Sequence, residues 1–266
     1  MTNLAPSYLS VLNSHKRDQY ITFEEGPHIY TVNGERGTYT SVTTWIHKHF
    51  AVFNADSVID RILSSKKWNN DPTYIYYNMS REQIKQKWDD KRDSAAKSGT
   101  KMHYDIECFY NNMDVNNDSI EFNYFKKFVE DYTDLKPYRT EWMVYYEELK
   151  ISGSIDMLFE NPDGTIQIYD WKRCGEIQYE HIYNETSTTE CISHLPDTNF
   201  WHYALQLNMY KRILEDKYGK VVTGLYLVCL HPDNVYKQYD RIEVPVLDKE
   251  MDALFELRQL EININK

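Results

Sequence analysis

Two short stretches hold the side chains best suited to chemistry. Gly153-Ser-Ile-Asp156 is followed by Tyr169-Asp170-Trp171-Lys172. Asp170 and Lys172 are two apart, so on a strand both project from one face. Asp156 and Asp170, near the paired ends of adjacent antiparallel strands, would converge on one point. Their oxygens suit a hard divalent cation. A lysine beside them can hold or activate an attacking water and balance charge on a phosphate. A solitary Asp-x-Lys is more often a solvated pair at a strand end. The succession of Gly-x-x-Asp, a turn and Asp-x-Lys favours the metal-assisted reading.

Two further groups accompany them. Ser98-Gly-Thr-Lys-Met-His103 precedes Glu107, and His103 and Glu107 are i and i+4, on one helix face. A lone histidine is usually structural; upstream of two acidic strands, His103 reads as a metal ligand. Glu107 is open between ligand, outer partner and solvated carboxylate. Gln206 and Tyr210 are again i and i+4, on an amphipathic stretch, where a buried Tyr is as good a reading as a functional one.

These residues need a scaffold. Residues 20–23 and 28–32 alternate as strands about the turn Glu24-Glu25-Gly26-Pro27. Ser41 reads as a helix N-cap, and Asn54 or Asp56 opens a second helix. A helix is expected from Ser80 to about Asp93, and after the small residues Ala95, Ala96, Ser98 and Gly99 another to about Tyr110. Residues 120–135 have helical spacing. Residues 141–146, 151–159 and 165–171 read as three strands, with turns at 147–150 and 161–164. The polar stretch 173–198 is longer than most structureless loops, which points to function, mobility or both. Residues 199–218 form a helix ended by Gly219, 221–230 and 236–244 are strands, and 247–260 is a closing helix. The alternation implies an α/β fold with a mixed sheet flanked by helices. The expected division is an N-terminal β-hairpin and helical extension, 1–79, and a core, 80–266.

Composition excludes several classes. The four cysteines, 108, 174, 191 and 229, contain no Cys-x-x-Cys, which argues against a cysteine-built zinc or iron–sulfur site and a secreted disulfide scaffold. No signal peptide or membrane-spanning run is seen, so a soluble intracellular protein is expected. The net charge of −11 argues mildly against nucleic acid, yet residues 81–101 carry seven Lys/Arg against four Asp/Glu.

The ordered set Gly-Thr-x-x-His, Gly-x-x-Asp, Asp-x-Lys and Gln-Leu-x-x-Tyr, over residues 97–230, resembles the RecB-type nucleases of the PD-(D/E)XK superfamily. Asp-Trp-Lys stands where Glu-x-Lys or Asp-Tyr-Lys is commoner. Glu141 falls where such families often carry an acidic residue. His28-x-Tyr30 and Ser41-Val-Thr43 resemble the leader of stand-alone viral and phage members and of the mitochondrial genome-maintenance exonuclease. The resemblance implies a restriction-endonuclease-like PD-(D/E)XK core and a Mg²⁺- or Mn²⁺-dependent deoxyribonuclease of replication, repair or recombination. It implies His103, Asp156 and Asp170 as metal ligands, with the Trp171 carbonyl completing the shell, and Asp156, Asp170 and Lys172 as catalytic residues. Gln206 and Tyr210 would shape the site or bind substrate. The expected partner is DNA with a single-stranded end, met in the host cytoplasm or nucleus if the protein is viral. No iron–sulfur cluster and no membrane association are expected. The rivals are a structure-selective endonuclease of the same fold and a catalytically silent nucleic-acid-binding module. The acid–acid–lysine set argues against the second, which has no need of it.

Overall fold

The computed structural model describes residues 6–264. A short helix α1 (Tyr8–Leu12) precedes an antiparallel sheet of β1 (Ile21–Glu24), β2 (Ile29–Val32) and β3 (Glu35–Arg36). The short strand β4 (Thr40–Ser41) runs into α2 (Val42–His47). Ser41 caps α2 by accepting the Thr44 amide at 3.1 Å, as its residue type suggests. Next come α3 (Ala55–Ser64), capped by Asn54, then α4 (Lys66–Asn70), α5 (Arg81–Tyr110) and α6 (Ile120–Asp131). Strands β5 (Lys136–Tyr146), β6 (Ile151–Glu160) and β7 (Ile166–Lys172) follow. The chain closes with α7 (Asn199–Tyr218), β8 (Val222–Cys229), β9 (Asp240–Glu243) and α8 (Asp248–Ile264).

The expected break near residue 95 does not occur: α5 is one helix of 30 residues. Ala95 and Ala96 are strong helix formers, and one interior glycine, Gly99, costs only about 1 kcal/mol. The chain forms two compact units. One comprises Met1–Ala51 with Met102–Lys266, the other Val52–Lys101. The smaller unit has its own apolar cluster of Ile59, Ile62 and Ile84, with Trp68 and Trp88 packed against it.

The larger unit is an α/β structure with a mixed six-stranded sheet. β5–β6, β6–β7 and β8–β9 are antiparallel, whereas β4–β6 and β7–β8 are parallel. β5 occupies one whole edge of β6. The other edge is shared: β4 pairs with residues 151–152 and β7 with residues 157–160. The stretch between, which holds Gly153 and Asp156, has no strand partner there. One sheet face packs Ile155, Leu158, Ile166 and Ile168 against α7, α2 and α8. The opposite face packs Met157, Phe159, Tyr169 and Trp171 against α6 and the end of α5. No helix among the described residues is long and apolar enough to cross a membrane.

The stretch 173–198 is less loose than its polarity suggests. Ile192 and Leu195 are buried, Thr186 bridges Pro196, and Ser187 and Thr188 both bond the His49 carbonyl. Two apolar side chains anchor its second half, while Ile182 and Tyr183 in its first half are exposed.

Candidate active site and metal centre

The turn at 147–150 sets the first alignment. Tyr146 pairs with Ile151 directly beyond it, and Lys150 takes a left-handed φ of 48° within it. The register continues to Trp142–Ile155 and Thr140–Met157, so Glu141 lies opposite Asp156. The 161–164 turn sets the second alignment, with Gly164 at φ 84°. Glu160 pairs with Ile166 and Met157 with Tyr169, so Asp170 occupies the next step, level with Asp156. Three carboxylates thus share one row across three strands.

The row is not a regular ladder. Glu141 has φ 42°, a left-handed conformation costly for a side-chain-bearing residue within a strand. Ile155 and Leu158, three apart, pack toward the same face, so alternation breaks across Asp156. The distortion falls in the unpartnered stretch of β6. There His103, from the α5 side of the sheet, reaches Asp156, and Gln206, from the α7 side, reaches Asp170.

His103 Nδ1 lies 3.5 Å from Asp156 Oδ2 and 3.6 Å from Glu141 Oε1. Both distances exceed a good hydrogen bond. They suit donors grouped about a common centre: ligand atoms about 2.1 Å from one cation sit about 3.0–3.4 Å apart at octahedral or tetrahedral angles. One ligand atom from each of His103, Glu141 and Asp156 lies within 4.8 Å of the others. Ser154 Oγ donates to Glu141 Oε2 at 3.0 Å, and the Trp171 amide donates to Asp156 Oδ2 at 3.0 Å, orienting both carboxylates.

Asp170 is buried and held by Lys172 Nζ at 2.6 Å and by Gln206 Nε2, which donates to Oδ1 at 3.3 Å. The Lys172 ammonium compensates the charge of the buried Oδ2 as an ion pair. The imidazole–carboxylate set of His103, Glu141 and Asp156 fits a divalent metal.

The electrostatics follow from crowding. Burial alone would lower the His103 pKa, but Asp156 and Glu141 outweigh it and raise the imidazole to about 9. Burial raises Asp156 above the ordinary carboxylate range, against the pull of His103. Burial raises Asp170 to about 6 although Lys172 opposes it. Burial would depress Lys172, yet Asp170 and Asp156 hold it above its ordinary value. Burial, with the Glu141 charge adding to it, raises Glu107 to about 7. Without an ion the site holds His103 as a cation, so binding a metal through His103 must release a proton.

Of the residues singled out in the sequence, His103 and Asp156 join the closest donor set, and Asp170 and Lys172 form the adjoining pair. Glu141, noted only by analogy, stands in that set where Asp170 was expected. Counting back from the 147–150 turn places it opposite Asp156, so its signal was present in the sequence. Gln206 and Tyr210 are both buried, behind the carboxylates. Gly153 explains Tyr210: a Cβ there would come within 2.8 Å of the ring carbon Cε1 and the hydroxyl. The glycine of Gly-x-x-Asp and the tyrosine of Gln-Leu-x-x-Tyr are two halves of one contact. Sequence reasoning missed Tyr203, whose ring centroid lies 4.5 Å from Lys172 Nζ. Its position three residues before Gln206 was the available signal.

The basic stretch is partly spent on neighbours. Arg81 pairs with Asp56 and Asp60, Lys85 with Asp56, and Arg92 with Asp89 and Asp93. Lys87, Lys91 and Lys97 have no acidic partner among the described residues. No family model matches this chain, and no curated protein matches it either.

Proposed function

We propose that this chain is a divalent-metal-dependent deoxyribonuclease with a RecB-type PD-(D/E)XK core. The observation that carries the reading is the row Glu141–Asp156–Asp170 at the unpartnered stretch of β6, joined by His103 and Lys172. A structural ion pair needs neither three aligned carboxylates nor a strained Glu141 among them.

His103, Glu141 and Asp156 would hold Mg²⁺ or Mn²⁺ beside Asp170. The bound ion would supply Lewis acidity and lower the pKa of a water. The reaction is phosphodiester hydrolysis: water attacks phosphorus and the 3′-oxygen leaves, giving a 5′-phosphate. Lys172, braced by Asp170 and Tyr203, offers an ammonium to the attacking water or a non-bridging phosphate oxygen. Gln206 fixes the Asp170 carboxylate, and Tyr210, seated over Gly153, fixes the helix carrying Gln206. This assigns both a shaping role rather than direct contact with substrate.

The preferred substrate in this reading is DNA with a free single-stranded end. Lys87, Lys91 and Lys97 are exposed cations available to phosphates. The test incubates purified protein and Mn²⁺ with end-labelled linear, end-blocked and circular single-stranded DNA. Asp170→Asn and Lys172→Ala are expected to abolish cleavage while leaving folding and much DNA binding intact. Near wild-type turnover in either variant would refute the site. Rapid cutting of covalently closed circles would keep the nuclease but make it an endonuclease.

A further inference from the structure

Beside the catalytic lysine lies a feature the proposed reaction does not use. Cys174 Sγ and Cys229 Sγ are 3.6 Å apart, although 55 residues separate them in sequence. Cys229 is buried near the end of β8, paired in register with Lys172 of β7 and with Asp240 of β9. Strands on both sides hold its backbone. Cys174 lies two residues beyond Lys172, past the end of β7, and is partly exposed. One thiol is therefore fixed and the other is movable and reachable.

We propose that Cys174 and Cys229 are a modification site: a dithiol that a low-molecular-weight disulfide such as glutathione disulfide closes into an intramolecular disulfide, displacing Lys172. The Cys174 thiolate attacks one sulfur of glutathione disulfide, forming a mixed disulfide and releasing one glutathione. Cys229 then attacks the Cys174 sulfur and releases the second. The protein loses two electrons and two thiol protons, and the oxidant becomes two glutathiones. Cys174 suits the first attack, because its hydrogen bond with Cys229, and then Lys172, lower its pKa against burial.

Closure has a mechanical consequence. A disulfide needs its sulfurs about 2.05 Å apart, so this pair must approach by about 1.5 Å. Cys229 is held in the sheet, so the movement falls on the segment after β7. Leu230 N donates to the Lys172 carbonyl at 2.8 Å and Glu121 holds Arg173 at 2.6 Å, so closure twists the short backbone between Lys172 and Cys174 and strains both side-chain pairings, that of Lys172 with Asp170 included. A shift of about 1 Å in a positioned catalytic group can cost about 100-fold in rate. The dithiol chemistry stands on its own; the loss of activity rests on the nuclease reading.

The experiment treats the full chain with glutathione disulfide or with dithiothreitol, alkylates the remaining thiols and maps peptides by mass. Acetylation of Lys172 by limiting acetic anhydride and DNA cleavage are measured on the same samples. The expected result is a 174–229 crosslink, faster Lys172 acetylation, and cleavage lowered about tenfold or more. Dithiothreitol restores all three, and Cys174→Ser shows none of these changes. Glutathione on the exposed Cys191 without a 174–229 crosslink overturns the proposal. So does a crosslink that leaves Lys172 acetylation unchanged. A crosslink with faster acetylation in a protein that never cleaves DNA would keep the dithiol site and refute the nuclease reading.

Discussion

Adding one methyl group at Gly153 tests the contact on which the candidate site rests. An alanine Cβ there would stand 2.8 Å from both Cε1 and the hydroxyl of Tyr210, and 3.2 Å from Cζ. Ordinary carbon contacts begin at about 3.5 Å. The tyrosine ring cannot swing away freely, since the residue is only 4% exposed and is packed in the core beneath α7. Gly153 sits in a strand interior, and its φ is not among the positive ones, so backbone conformation does not forbid alanine. Overpacking of this kind costs about 1–3 kcal/mol. At about 2 kcal/mol, the thermal midpoint of Gly153→Ala falls by about 4–8 °C. Tyr210→Ala alone removes a buried ring and costs about 3–5 kcal/mol by analogy with other aromatic truncations. In the double variant the added methyl meets no ring, so its cost should be smaller by about 1–2 kcal/mol than the sum of the singles. Chemical denaturation of the four proteins measures this coupling without any assay of activity. Additivity within about 0.5 kcal/mol would show that the two side chains do not compete for one space, and the account of both motifs would fall.

Three more outcomes can be measured. Asp18 accepts from the Arg139 guanidinium and the Trp142 indole, each at 2.8 Å, and from the His15 amide at 2.9 Å. Burial would raise its pKa, but these donors hold it below the ordinary value. A depressed folded-state pKa adds stability above the unfolded value, near 3.9, that is lost as pH falls through the folded value. Asp18→Asn, which leaves the buried Arg139 charge uncompensated, is expected to cost about 3 kcal/mol at pH 7. Denaturation titrations should show its gap from wild type narrowing below about pH 4. For the metal, calorimetry should show Mn²⁺ bound at least as well as Mg²⁺, because imidazole suits transition metals, and His103→Ala or Glu141→Gln should weaken Mn²⁺ about tenfold or more. Wild-type Mn²⁺ affinity in Glu141→Gln would remove Glu141 from the ligand set. For DNA, replacing Lys87 and Lys91 by Gln should flatten the salt dependence of single-strand binding by about 0.7 per lost contact. Neutralising Arg92, already paired with Asp89 and Asp93, should change the slope little.

Local chemistry in the sequence determined the scaffold's parts. Ser41 and Asn54 cap helices because their short side chains reach amides one turn on. Gly219, at φ 63°, ends α7 because a left-handed residue there favours glycine. The turns at 147–150 and 161–164 fix two antiparallel registers, and those registers place Asp156 level with Asp170. The pairing of Asp170 with Lys172 follows from the alternation of side chains along β7. What crosses between elements was not local and could not be read off. The sharing of one β6 edge between β4 and β7 and the left-handed Glu141 depend on packing among segments distant in sequence. So do Tyr203 over Lys172, Tyr210 in the space left by Gly153, and Cys174 against Cys229. Each is a contact between side chains that lie far apart in sequence and are brought together by the packing of strands and helices. Residue spacing encodes which face a side chain takes, but only the folded chain decides what it meets there.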